Sequence, residues 1–248
     1  NPTPWVLGRG WNQTEWKNPE FPDKEILDKL FPDKPVYLTR VDGHCAIVNS
    51  VTLKLAGIDK NTKIPGGHIE LRNGEPTGLL IDNAKERVRD ILPPYSTAEK
   101  VQQISNAQKK CFSVGLTSVT DAGVAFADVL LYDSLHRTES LSMYINVMLN
   151  PSDENIVNII EKQPQFNVKL RINAVKLYAD GALGSRGGLL LEPYSDDLEN
   201  SGVQVDSIAF IKKMCAIAHK HNLQVATHCI GDKAEHLSFQ DRRCKVPT

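Results

Sequence analysis

Ala174-Val175-Lys176-Leu177-Tyr178-Ala179-Asp180-Gly181 and Gln224-Val225-Ala226-Thr227-His228-Cys229-Ile230-Gly231-Asp232 are two short apolar runs, each reaching a side chain with metal-ligand chemistry and then a turn. Between them Ile208, Ile211, Cys215 and Ala218 fall on one helical stripe. Strand, helix and strand in that order predict a parallel β/α unit. The same alternation extends back to about residue 96. Thr117 to Thr120 is a β-branched run closing on Asp121-Ala122-Gly123, and Met143 to Leu149 is a further strand. Ser96 is placed to cap a helix carrying Val101, Ile104 and Cys111 that stops at Gly115. A helix through Leu130, Leu131 and Leu135 follows, and Ser152 or Asp153 caps another with Ile156, Ile159 and Ile160 inward. Four strands of this kind fit either an open doubly wound sheet or half of a (β/α)8 barrel. No Gly-x-Gly-x-x-Gly follows any strand, which favours the barrel.

The first ninety residues read differently. They are rich in Pro, Gly and Asn, with strands expected at Val6 to Trp11 and Pro35 to Thr39. A short helix is expected from Asn49 to Ala56, stopped at Gly57, with tight turns at Gly66-Gly67 and Asn73-Gly74. The expected fold is therefore α/β: an N-terminal α+β elaboration over 1–95, a partial TIM-type barrel over 96–235 and a separate tail over 236–248.

Composition narrows the partners. With 29 basic and 30 acidic side chains the net charge is -1, which argues against nucleic acid or an anionic membrane surface. Nothing approaches the apolar length of a membrane-crossing helix. No basic-then-apolar leader follows Asn1, so any targeting segment is expected to have been removed or left out. The five cysteines are odd in number with no Cys-x-x-Cys, and are read as reduced and structural. Compartment stays open, leaning to the cytoplasm.

Several residues are candidates for chemistry, each with a plainer alternative. Lys176 is a metal ligand if CO2 converts it to a carbamate; otherwise its ammonium pairs with a carboxylate such as Asp180. His228, ending a strand, is either a ligand or a hydrogen-bonded core histidine. Asp232 either orients that imidazole or caps the next helix. In Asp180-Gly181-Ala182-Leu183-Gly184-Ser185-Arg186, Arg186 can grip a substrate carboxylate in a bidentate pair or form a surface salt bridge. Arg40-Val41-Asp42-Gly43-His44 suits either a loop folded over a substrate or a solvated turn. His68, His136, His219, His221 and His236 are read as turn or helix-surface residues without a role.

The same segments, taken in order, resemble amidohydrolase family 3 of the amidohydrolase superfamily, the group that includes N-substituted formamide deformylase-like and YtcJ-like proteins. The stretches that carry this are Gly10-Trp11-Asn12, Pro35-Val36-Tyr37-Leu38, Asp42-Gly43-His44 with Asn49-Ser50, Gly66-Gly67 and Gly74-Glu75-Pro76-Thr77-Gly78. Gly115-Leu116-Thr117-Ser118-Val119, Val175-Lys176-Leu177 with Asp180-Gly181-Ala182, and His228 with Ile230-Gly231-Asp232 continue it.

The resemblance implies a (β/α)8 barrel with a small β-sandwich. It implies hydrolysis of amide or related C–N bonds other than peptide bonds, with one or two divalent metals, zinc by preference. On that pattern Lys176 is the carboxylated lysine of the fourth strand and His228 the fifth-strand histidine. Arg40, His44, Asp180 and Arg186 would face a small-molecule substrate, with Asp232 behind the metal ligands. The four strands become the second to fifth, and the region before Ser96 an insertion between the first and second. No His-x-His closes a predicted strand here. A sixth-strand histidine, an eighth-strand aspartate and the sandwich are also not found, and the residues after His236 depart from the pattern. The chain is therefore expected to be a truncated fragment, inactive alone, self-associating, and able to lack bound metal. The competing expectation is a non-catalytic, ligand-binding barrel relic without metal.

Overall fold

A computed structural model describes residues 4–239. They form two compact units, one of residues 4–93, 178–208 and 229–239, the other of Pro94–Leu177 and Ala209–His228.

The first unit is built on a five-stranded sheet in the order β1-β2-β3-β5-β4. Its strands are β1 (Val6–Trp11), β2 (Val36–Arg40), β3 (Cys45–Val48), β4 (Gly67–Arg72) and β5 (Glu75–Asp82). β1 runs parallel to β2 and the other pairs are antiparallel. Helices α1 (Glu25–Leu30), α2 (Ser50–Ala56) and α3 (Asn83–Arg89) belong to the same unit. β4 and β5 meet at the expected Asn73-Gly74, where φ is 53° and 78°, the two positive values that a tight hairpin turn demands. Asn49 caps α2 by accepting the Thr52 backbone N–H, and also accepts the Val36 N–H.

This unit has apolar packing of its own, because the sheet is buried on both faces. Ala46, Val48 and Leu80 pack on one side with Leu53, Ala56, Ala84 and Val88. Cys45, Ile47, Leu79 and Ile81 pack on the other with Leu27 and Val36. Successive residues of a strand point to opposite faces, so a doubly covered strand reads as an unbroken apolar run without alternation. Cys45–Val48 and Leu79–Ile81 are such runs, which is why β3 and β5 escape a search for period-two patterning.

The second unit alternates as expected. α4 (Thr97–Ser113), β6 (Ser118–Val124), α5 (Phe126–Arg137), β7 (Tyr144–Leu149), α6 (Asp153–Asn155), β8 (Leu170–Tyr178), α7 (Ile208–Lys220) and β9 (Gln224–His228) follow one another, and α8 (Asp232–Phe239) comes after β9. The sheet order is β6-β7-β8-β9, with β6 and β8 both parallel to β7. The fold is thus mixed α/β. Val147, Leu149, Val175 and Leu177 are fully buried in the strands, with Ile211, Met214 and Ala218 of α7. Past Asn155 the helix continues as a π-helical turn over Ile156–Glu161, burying Ile156, Ile159 and Ile160.

Two details differ from expectation. The stripe of α4 is only half-buried, although its Ser96–Glu99 capping box is complete. His136 is not a surface residue: it is buried, with Nε2 2.9 Å from the Met143 carbonyl oxygen. Four cysteines (Cys45, Cys111, Cys215, Cys229) are in no disulfide, and Cys244 lies outside the described residues. Among the described residues no helix is long and apolar enough to cross a membrane.

Candidate functional site

The two metal-ligand candidates lie on adjacent strands of the second unit. Lys176 is half-buried between Val175 and Leu177, which have no exposure. Its Nζ donates to the Leu177 carbonyl at 3.2 Å. His228 is the last residue of β9 and is half-buried. The chain does contain a His-x-His, at His219-Lys220-His221, but it closes α7 and stands on no strand.

Donor chemistry decides what these residues can hold. An ammonium has no lone pair for a metal, so Lys176 counts as a ligand only once carboxylated. Catalytic zinc takes three protein ligands with an open position. Among the described residues no group of three or more His, Cys, Asp or Glu is placed to hold a metal ion. Lys176 and His228 by themselves therefore do not make a metal centre.

In the first unit the loop after β8 is organised by Asp180. The residue has no exposure, and its carboxylate accepts three backbone N–H groups: Leu189 at 2.8 Å, Ile230 at 2.9 Å and Gly231 at 2.7 Å. Such a carboxylate holds the chain by satisfying three buried backbone donors. Asp232 opens α8, and its Oδ1 accepts the N–H groups of Leu191 and Lys233.

Arg40 is likewise committed. Its side chain is 5% exposed, with Nε donating to Gln13, one terminal nitrogen to Asp42 and the other to Asn12. The Trp11 ring lies 5.9 Å away. The turn that follows is closed by Gly43 N–H to the Arg40 carbonyl and His44 N–H to Asp42. A solvated turn does not describe it, because its first residue is in the interior.

Arg186 is the more accessible cation. It pairs with Asp196 at 2.9 Å and lies 5.2 Å from the Phe21 ring centroid. With Gln13, Leu183 and Tyr194 these residues line a cleft of about 420 Å³. Tyr194 donates to the Gly188 carbonyl, and burial, helped by the Asp180 carboxylate, pushes its phenol up to about 12.

Sequence reading passed over Asp82. It ends β5 and places Oδ1 2.8 Å from His44 Nδ1. Burial pushes its carboxyl up from the ordinary range, and the His44 hydrogen bond opposes that rise. The signal was present, since Gly78-Leu79-Leu80-Ile81-Asp82 is an apolar run closing on an acid, like the run ending at Asp180.

A protein-family model described as the amidohydrolase family matches residues 1–241. The chain belongs to the amidohydrolase family. The match takes in the start of the segment read as a separate tail. YtcJ of Bacillus subtilis, provisionally named an amidohydrolase, is 35% identical over 93% of this chain and 44% of its own length. Protein LONG AFTER FAR-RED 3 of Arabidopsis thaliana is 34% identical over 94% of this chain and 42% of its own. Among solved structures, a metal-dependent hydrolase from Pyrococcus furiosus aligns with a TM-score of 0.62 at 30% identity, covering 95% of this chain and 49% of that one. This amidohydrolase chain therefore spans about half the length of the relatives it matches, and its structural neighbours are metal-dependent hydrolases.

Proposed function

We propose that the chain is part of a metal-dependent hydrolase acting on amide or related C–N bonds other than peptide bonds. In this reading β6 to β9 are the second to fifth strands of a (β/α)8 barrel, and residues 1–95 lie between its first two strands. Lys176, as its carbamate, and His228 are two donors to a divalent metal, zinc by preference. The observation that carries the reading is their placement near the ends of neighbouring strands β8 and β9 in a member of the amidohydrolase family. Two donors fall short of the three that catalytic zinc takes, so no hydrolytic step is assigned to these residues alone.

The roles of the remaining candidates follow from their partners. Arg186 and His44 face a small-molecule substrate, Arg186 from the 420 Å³ cleft and His44 from the turn between β2 and β3. Asp180, Asp232 and Arg40 shape the loops that present them. The balanced charge of the chain supports neither nucleic acid nor an anionic membrane as partner.

The test is a chimera in which this chain replaces the matching segment of YtcJ, assayed on N-formyl, N-acyl and cyclic amides. Lys176→Ala and His228→Ala should each cut turnover by orders of magnitude. Full turnover in both variants would overturn the assignment.

A further inference from the structure

A cavity of about 470 Å³ opens in the second unit where β8 and β9 begin. That volume falls within the range of about 300–1,000 Å³ usual for small-molecule sites. β8 contributes its first three residues, Leu170, Arg171 and Ile172, and the turn before β9 contributes His221, Asn222 and Leu223. Arg171 precedes Lys176 by five positions, about 16 Å along an extended strand. The cavity is therefore separate from the proposed metal donors.

Most of its wall is apolar. The π-helical turn over Ile156–Glu161 supplies the buried Ile159 and Ile160, and such turns are frequent at functional sites. Phe166, Leu170, Ile172 and Leu223 continue the apolar surface. The charge, by contrast, is of one sign. Among the described residues that line the cavity, the ionisable side chains are Arg171 and His221, and none is an aspartate or glutamate. Arg171 is exposed and His221 half-buried. The end of α7 fixes His221, whose backbone N–H donates to the Ile217 and Ala218 carbonyls at 3.2 Å. Asn222 then takes a left-handed φ of 56°, as asparagine can beyond a helix end, and the Leu223 N–H returns to the Ala218 carbonyl at 2.8 Å.

We infer that this cavity is a second small-molecule site, which binds an amphipathic carboxylate with its anion on Arg171 and its hydrocarbon body against Ile159, Ile160 and Phe166. A guanidinium holds a carboxylate through two parallel hydrogen bonds, and one fixed positive charge matches a monoanion. The His221 imidazole and the Asn222 amide can add neutral N–H donors beside it. The apolar wall selects for a hydrocarbon body, since each apolar group that leaves water there contributes to binding. The inference goes beyond the hydrolase reading and does not rest on it.

The experiment is titration calorimetry of the full chain with octanoate and with its neutral analogue octanamide. Octanoate should bind one per chain, at least about tenfold tighter than octanamide. Arg171→Gln, at an exposed position, should weaken octanoate by about tenfold with far-UV circular dichroism unchanged, and should leave octanamide as it was. In methyl NMR of isoleucine-labelled chain, octanoate should shift the Ile159, Ile160 and Ile172 signals, each assigned by its Ile→Val variant. No octanoate binding, equal binding of octanoate and octanamide, an Arg171→Gln variant that binds octanoate like the wild type, or shifts confined to other isoleucines would each overturn the inference. Should Arg171→Gln not fold, the wild-type preference and the shifted isoleucines decide together. None of these readouts needs metal or turnover.

Discussion

The Asp180 carboxylate accepts the backbone N–H of Gly231 at 2.7 Å, tying the loop after β8 to a turn 51 residues further along the chain. With the Leu189 and Ile230 N–H groups it satisfies three backbone donors at a site without exposure. Removing a buried acceptor costs the desolvation of each donor left behind, about 1–3 kcal/mol apiece. Asp180→Ala should therefore destabilise the chain by at least about 3 kcal/mol, seen as a lower urea midpoint. A loss under about 1 kcal/mol would mean that the carboxylate is not what holds the loop.

Arg40 and Arg186 should separate cleanly. Arg40 spreads its nitrogens over Gln13, Asp42 and Asn12 in the interior, a fork that an ammonium cannot reproduce. Arg40→Lys is expected to cost about 1–3 kcal/mol by urea denaturation. Arg186 pairs with an Asp196 that is 66% exposed, so Arg186→Ala should change stability by no more than about 1 kcal/mol. The reverse order would put Arg40, and not Arg186, on the substrate side.

These pairs also show what could be read in advance. The parallel β/α units, the Ser96 and Asn49 caps and the Asn73-Gly74 turn are local signals, and each is legible within a few residues. Arg40 looked like a loop cation because its partners Asn12 and Gln13 are 28 and 27 positions away, joined to it only through the pairing of β1 with β2. The donors to Asp180 were hidden for the same reason, since two of them arrive from the turn after β9. His136 could have been found: it lies seven residues after the buried Val129 on α5, on the same helical face. The further donors of the proposed metal site were not legible, because two candidates, Lys176 and His228, do not specify the others.

Alkaline pH should unfold the chain in a defined window. Tyr37 and Tyr194 are both held up at about 12, mainly by burial, against an ordinary value of 10.0. A raised folded value favours the neutral form in the native state. The contribution is therefore complete below pH 10 and is lost as pH rises toward 12. The urea midpoint should fall across that interval, and Tyr194→Phe should weaken the dependence. A midpoint flat from pH 10 to 12 would contradict this.

The second unit places β6 and β9 at the two ends of its four-stranded order. Unpaired strand edges are templates for further pairing. Static light scattering should show dimers or larger species at tens of micromolar. A mass equal to one chain at every concentration would count against edge pairing.

The central claim is that Lys176 and His228 donate to one divalent metal. Elemental mass spectrometry on the YtcJ chimera carrying the wild-type segment, purified without chelators, then supplied with zinc and bicarbonate and dialysed, tests it most directly. The account predicts zinc retained by the wild type and lost in both Lys176→Ala and His228→Ala. Zinc retained equally by the double variant, or by none of the proteins including the wild type, would contradict it.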